Sequence, residues 1–168
     1  SNNSIINNTI SANNEGFRIL IDGNNAITKN TVTNNAIGIW VNSSQNAISD
    51  NNFNNTNNAV DGSITGNKWN TTKTAGTNII GGSWLGGNFW SDYTGIDTNS
   101  DGIGNTLLPY SAGGNIITGG DSLPLTKTGT STLTANYTTD ISSGIKPLTV
   151  TFTDISTGSP TTINMSFG

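Results

Sequence analysis

The densest set of hard-cation donors in the chain is Asp97-Thr-Asn99-Ser-Asp101-Gly102-Ile103-Gly104-Asn105. In a loop of this spacing, alternate side chains converge on one point, a glycine permits the sharp turn, and the next carbonyl, that of Ile103, adds an oxygen. Oxygen donors alone suit calcium. The bidentate Glu that usually closes such a loop is replaced by Leu108, and Pro109 prevents a following helix. A remote carboxylate must complete the shell, and Asp121 is the candidate. The pattern therefore predicts a structural Ca2+ on Asp97, Asn99, Asp101, Ile103, Asn105 and Asp121. The competing reading is an Asx-rich turn without metal.

Other chemistry is constrained by what is missing. The chain has no His and no Cys, which excludes Ser-His-Asp and Cys-His nucleophiles and any disulfide scaffold. A polysaccharide lyase or hydrolase would need paired carboxylates or a base near an Arg or Lys. Asp22, Asp50 and Asp61 with Arg18, the one Arg, are the raw material, but they read as solvated corner residues, and no enzyme is expected. The stretch Gly81-Gly-Ser-Trp84-Leu-Gly-Gly-Asn-Phe89-Trp90-Ser-Asp-Tyr93 packs four aromatics among glycines. It could be a sugar-stacking platform, together with Trp40, or a plug closing the end of a repeat array; the plug is the favoured reading.

The elements that must position these groups are written in the first 70 residues. Asn3-Ser-Ile5-Ile-Asn-Asn8-Thr-Ile10, Asn25-Ala-Ile27-Thr-Lys-Asn30-Thr-Val32 and Asn46-Ala-Ile48-Ser-Asp-Asn51-Asn-Phe53 share one pattern, and Ser63-Ile64-Thr-Gly-Asn67-Lys-Trp69 reads as a fourth copy. The anchors Ile5, Ile27, Ile48 and Ile64 lie 22, 21 and 16 residues apart. A period near 20 is that of a solenoid whose coils bury apolar faces against each other. Short Ile-, Val-, Phe- and Thr-rich runs, with no helical spacing, make the coils β. The prediction is an all-β, right-handed parallel β-helix of about four coils. Leucine-rich repeats are excluded by their missing signature. Asn tolerates left-handed corners and bonds neighbouring backbone, so Asn8, Asn30, Asn51 and Asn67 are expected to stack about 4.8 Å apart as an amide ladder.

Charged residues make up 10% of the chain and the net charge is −4. With no basic patch, nucleic acid is not an expected partner. No membrane span is expected, and the start in mid-repeat suggests a piece of something longer. Sequons at Asn2, Asn7, Asn42, Asn54, Asn70, Asn136 and Asn164 are candidate glycosylation sites of an extracellular, cell-surface protein. Composition divides the chain into the β-helix with its aromatic cap and cation loop (1–127), a Thr/Ser/Gly linker (128–134) and an alternating β segment (135–168).

Residues 78–95, Asn-Ile-Ile-Gly-Gly-Ser-Trp-Leu-Gly-Gly-Asn-Phe-Trp-Ser-Asp-Tyr-Thr-Gly, together with Asp97–Asn105 and Gly120-Asp-Ser-Leu-Pro-Leu125, resemble the close of NosD-like β-helix repeats in methanogen surface-layer proteins. The family commonly has Tyr at Phe89 and Asp at Asn105. Its name implies copper, yet only Met165 offers a soft ligand here, and copper delivery is not expected. Ala135-Asn-Tyr137, Gly144-Ile-Lys-Pro147-Leu-Thr-Val-Thr-Phe152-Thr-Asp154 and Ser156-Thr-Gly-Ser-Pro160 resemble the first half of a polycystic-kidney-disease-type (PKD) β-sandwich. Its usual Trp-x-Trp run is replaced by Ile163-Asn-Met165-Ser-Phe167. The resemblances imply a structural protein of an archaeal surface: a sheath, surface layer or filament. Its expected partners are copies of itself or other surface proteins, joined by strand exchange through the incomplete sandwich. The alternative is a glycan-binding or adhesion module.

Overall fold

The computed structural model describes residues 2–127 and 136–156. The chain divides into two compact units, Ser1–Thr128 and Gly129–Gly168. The expected linker, 128–134, lies outside the described residues, as do residues 157–168 with Met165 and Asn164.

The first unit is all-β apart from one 3-10 turn at Ala112–Gly114. Nine short strands come in three sets of three. They are β1 (Ser4–Ile6), β2 (Thr9–Ser11), β3 (Glu15–Ile19), β4 (Ala26–Thr28), β5 (Thr31–Thr33), β6 (Ile37–Val41), β7 (Ala47–Ser49), β8 (Asn52–Asn54) and β9 (Asn57–Asp61). Each pass of the chain contributes one strand to each of three parallel sheets, β1-β4-β7, β2-β5-β8 and β3-β6-β9. Strands of three to five residues alternate one buried side chain with polar ones, because one face meets the core and the other meets water.

Register stacks like on like. Ile5 pairs with Ile27 and Ile27 with Ile48; Ile10 pairs with Val32 and Val32 with Phe53; Phe17 pairs with Ile39 and Ile39 with Ala59. The middle and last members of these rows are fully buried. Their burial supplies most of the driving force, at about 25 cal/mol per Å2 of apolar surface.

The fourth copy departs from the expected register. Ile64 is 87% exposed and anchors nothing. Lys68 bridges to Ala47 instead, and Trp69, 1% exposed, takes the place beneath Ile48. The chain then leaves the stack through a small antiparallel ladder, β10 (Thr74–Ala75) with β11 (Trp84–Leu85). It returns as β12 (Phe89–Trp90), which joins β8 in parallel and puts Trp90 under Phe53.

In the second unit, β13 (Tyr137–Thr139) pairs antiparallel with β14 (Phe152–Asp154), with Tyr137 against Phe152 at 5.7 Å. This is a two-stranded ladder. The expected PKD-type half-sandwich is not formed among the described residues, because no second sheet covers the hairpin and its strand residues are almost all exposed.

Candidate functional site

Three asparagine ladders run through the stack. At one corner the side chains of Asn3, Asn25, Asn46 and Asn67 link Nδ2 to Oδ1 at 2.8–3.0 Å. At the second corner the run is Asn8, Asn30, Asn51 and Asn88. At the third, Asn35 links to Asn55 and Asn55 to Asn58, at 3.3 Å, while Asn13 joins through its backbone N–H to Asn35 Oδ1. From the second coil on, Oδ1 also accepts the backbone N–H of the Asn one coil earlier, as Asn30 does for Asn8 and Asn51 does for Asn30, and Asn58 does the same for Asn55 within one pass. The spare Nδ2 hydrogens reach backbone carbonyls. Buried polar groups must be satisfied, and here each amide satisfies the next. Asn67 therefore belongs to the first ladder, not to that of Asn8, Asn30 and Asn51 as the sequence suggested; Asn88 completes the latter.

Every ladder donates towards the C-terminal end and stops on an aspartate. Asn67 donates to Asp61 Oδ2 at 2.9 Å; Trp69 Nε1 donates to the same oxygen, and Ser63 donates its hydroxyl and its N–H to Oδ1. Asn58 donates to Asp92 Oδ1 at 2.6 Å, which also accepts the Tyr110 hydroxyl at 2.8 Å. Asn88 donates its N–H to Asp121 Oδ2 at 2.7 Å, and Trp90 Nε1 adds a bond of 2.8 Å. Leu123 N–H donates to Asp121 Oδ1. Asp121 is 0% exposed, and burial pushes its carboxyl up to about 6 against the pull of those donors. A Cβ on Gly87 would lie 1.9 Å from Asp121 Oδ1, so the close approach requires glycine.

The aromatic segment closes this end as a plug. Trp90, 1% exposed, stacks on Phe53 at 4.8 Å and on Tyr110 at 4.5 Å, and Trp69 tilts against it at 5.6 Å. Tyr93 meets Tyr110 edge-on at 6.2 Å. Burial, then the bond to Asp92, raises the Tyr110 hydroxyl far above its ordinary value, and burial raises Tyr93. Trp90 is thus unavailable to a sugar. Arg18 lies over Trp40 at 5.0 Å, Lys73 over Trp84 at 4.7 Å and Lys127 over Phe89 at 5.3 Å, so those rings are roofed by cations.

The calcium prediction is corrected by this geometry. The loop's oxygens are spent on the loop itself: Asp97 accepts the N–H groups of Asp101 and Gly102, and Asp101 accepts that of Ile103. Asn105 Oδ1 accepts both donors of Thr98, and Asn99 Nδ2 donates to Asp101 Oδ2. Asp101 is also ion-paired with Lys73, whose hydrogen bond holds its carboxyl below the usual range. Asp121 is consumed beneath the plug. Among the described residues, no group of three or more acidic, His or Cys side chains could hold a metal. The sequence pattern is the same for an Asx turn closed by its own amides, which is what forms here.

The acids weighed for polysaccharide chemistry are scattered. Asp22 is an exposed corner residue at φ 61°, Asp61 ends a ladder, and Asp50 lies buried at a corner with φ 56°. Asp50 Oδ1 accepts the Ile79 N–H, Oδ2 has no partner, and desolvation raises its carboxyl. Arg18 finds a partner that the sequence did not suggest, Glu15, at 3.2 Å. Of the sequons, Asn2, Asn7, Asn42, Asn54 and Asn136 are exposed, whereas Asn70 is half-buried with Oδ1 on the Ser122 N–H.

Sequence reasoning missed the aspartate stops and Asn88. The latter was readable, since Asn88-Phe-Trp90 repeats the Asn-x-apolar motif of Asn51-Asn-Phe53 and Asn30-Thr-Val32. The inserted residues 70–86 hid it by stretching the spacing to 37. A protein-family profile described as periplasmic copper-binding protein (NosD) matches residues 1–95. No curated protein and no solved structure matches the chain.

Proposed function

The chain belongs to the NosD family, a parallel β-helix type matched over residues 1–95, and from that premise we propose that it is an extracytoplasmic structural module rather than an enzyme or a copper carrier. The observation that carries this reading is the set of amide ladders, each stopped by a carboxylate. They spend nearly all the inward polar groups of the described residues on rigidity; Asp50 Oδ2, Asn52 Oδ1 and Thr126 Oγ1 are the buried side-chain atoms left without a partner.

Copper itself does not fit the residues present. Imidazole and thiolate, its usual ligands, are absent from the whole sequence, and Met165 is the one thioether. The family description points away from calcium as well, and the oxygen-donor loop is closed on itself. Titration with Cu(I) and Cu(II), followed by metal analysis after gel filtration, is expected to leave no stoichiometric copper. One retained equivalent would overturn this part.

The finer reading is a sheath, surface layer or filament of a methanogen-type archaeal surface, with coils wound right-handed. Its support is the resemblance of residues 78–95 and the sequons on exposed corners. Subunits would join laterally or by strand exchange through the β13–β14 hairpin, since the plug blocks stacking on the C-terminal end of the coils. No helix among the described residues is long and apolar enough to cross a membrane. Electron microscopy of purified native material tests the reading. Ordered filaments or sheets support it; monodisperse particles at high concentration would sink it.

A further inference from the structure

Beside the plug lies an open groove of about 260 Å3. Its lining combines apolar Tyr93, Leu107 and Pro109 with polar Asp92, Thr94 and Ser111, and includes Tyr110. Two of these groups are fixed before any ligand arrives. Asp92 is held through Oδ1, by Asn58 Nδ2 and the Tyr110 hydroxyl, and Oδ2 takes no hydrogen bond from the described residues. Tyr93 is pinned by its hydroxyl, which donates to the Thr106 carbonyl, and its phenol end lies where a Cβ on Gly104 would fall, at 2.2 Å.

We propose that this groove binds a single neutral pyranose unit of a polysaccharide. A sugar ring has an apolar C–H face and an equatorial rim of hydroxyls. The pinned Tyr93 ring with Leu107 and Pro109 matches the face, and the uncommitted Asp92 oxygen with the Thr94 and Ser111 hydroxyls matches the rim. Preorganised groups lose little freedom on binding, which is what a shallow site requires. The charge of the lining selects the class: it holds one carboxylate and neither Lys nor Arg. Uronates and sulfated sugars are repelled. Trp40, Trp84 and Phe89, the half-buried aromatic rings of the coils and the Gly-rich segment, are already covered by cations. The groove therefore gives the module a carbohydrate contact that does not depend on the scaffold reading.

Saturation-transfer NMR on the full chain, with methyl glucoside, galactoside, mannoside and N-acetylglucosaminide as probes and methyl glucuronide as the charged comparison, tests it. At least one neutral glycoside is expected to show transfer, with millimolar affinity, and the glucuronide none. Asp92→Asn keeps an acceptor for Asn58 and Tyr110 but replaces the uncommitted oxygen, and is expected to weaken binding about tenfold. Leu107→Lys, at a side chain 68% exposed, changes the groove without touching the core and should reverse the preference towards glucuronide. No transfer from any neutral glycoside, equal binding in both variants, or preference of the native chain for glucuronide would each overturn the proposal. Polymer formation by microscopy is read separately, so either proposal can fail alone.

Discussion

The two ends of the coil stack are built from the same repeat and finished differently. At the C-terminal end, Asn67, Asn88 and Asn58 hand their last donors to Asp61, Asp121 and Asp92, and Trp69, Trp90 and Tyr110 seal the apolar rows. At the N-terminal end, Ile5 and Ile10 are only half-buried, and Ile19, Leu20 and Ile21 line an open hollow of about 300 Å3 with Asn3 and Asn25. The difference teaches what a ladder needs. A run of amides can start at a solvated face, where water serves its acceptors. Where it ends inside protein, its donors need a permanent acceptor, and a carboxylate accepts without presenting a donor of its own.

The sharpest way to break the contrast is Asp121→Asn. An amide there sets its Nδ2 against a donor whichever way it turns, facing either the Asn88 and Trp90 N–H groups or the Leu123 N–H, and a loss of about 3–5 kcal/mol is expected from denaturant midpoints. Asn8→Ala, at the solvated end of the same ladder, should cost only about 0.5–1 kcal/mol. Equal losses would erase the distinction between the ends. Between them, Asn30→Ala removes a buried amide that bonds to Asn8, Asn51, Thr28 and Ile5. It should cost about 2–4 kcal/mol and open hydrogen exchange in β2 and β5 together; a local effect of a few tenths would show that the ladder is not cooperative. Gly87→Ala drives a methyl into Asp121 and should lower stability by about 1–3 kcal/mol; a silent substitution would mean that Asp121 is not wedged where the plug needs it.

The same contrast has a pH dependence. Folded Asp121 takes up its proton near pH 6 and the unfolded chain near 3.8. The proton-bound state is thus favoured by folding. That contribution is complete below about 3.8 and is lost as pH rises through about 6. Stability should fall by about 2 kcal/mol between pH 4 and 7 on this account, with the Asp121 carboxyl carbon titrating near 6 by NMR. A carbon that titrates below 4, with flat stability, would sharpen the comparison the other way, making the carboxylate a fully solvated-equivalent stop.

Much of the stack was legible because period and composition act together. The Ile and Asn rows at a spacing of 21–22 can close only one way, and strands of Ile, Val and Thr followed. The fourth pass was not legible, since Ile64 imitates an anchor while Asn67-Lys-Trp69 repeats Asn46-Ala-Ile48 one motif later. Of the four aromatics read as a plug, Trp90 and Tyr93 enter it, whereas Trp84 and Phe89 do not and Trp69 and Tyr110 come from other stretches. The cation loop misled because Asp97, Asn99 and Asp101 satisfy the same spacing whether a metal or the loop's own amides fill the centre. The groove was invisible in sequence. Leu107, Pro109 and Tyr93 share no motif and meet only through the packing of Tyr110 on Trp90.

Asparagine-rich chains ordinarily age, because the next residue's amide nitrogen attacks the side-chain carbonyl and releases ammonia. In this stack that nitrogen is occupied. Ala26 donates to the Asn3 carbonyl, Thr31 to Asn8, Ala36 to Asn13, Ala47 to Asn25, Asn52 to Asn30, Thr56 to Asn35, Lys68 to Asn46 and Phe89 to Asn51. Each is the residue that follows a ladder asparagine, so the bond that holds one coil to the last also disarms the nucleophile. The most perishable residue in the sequence is thereby made durable.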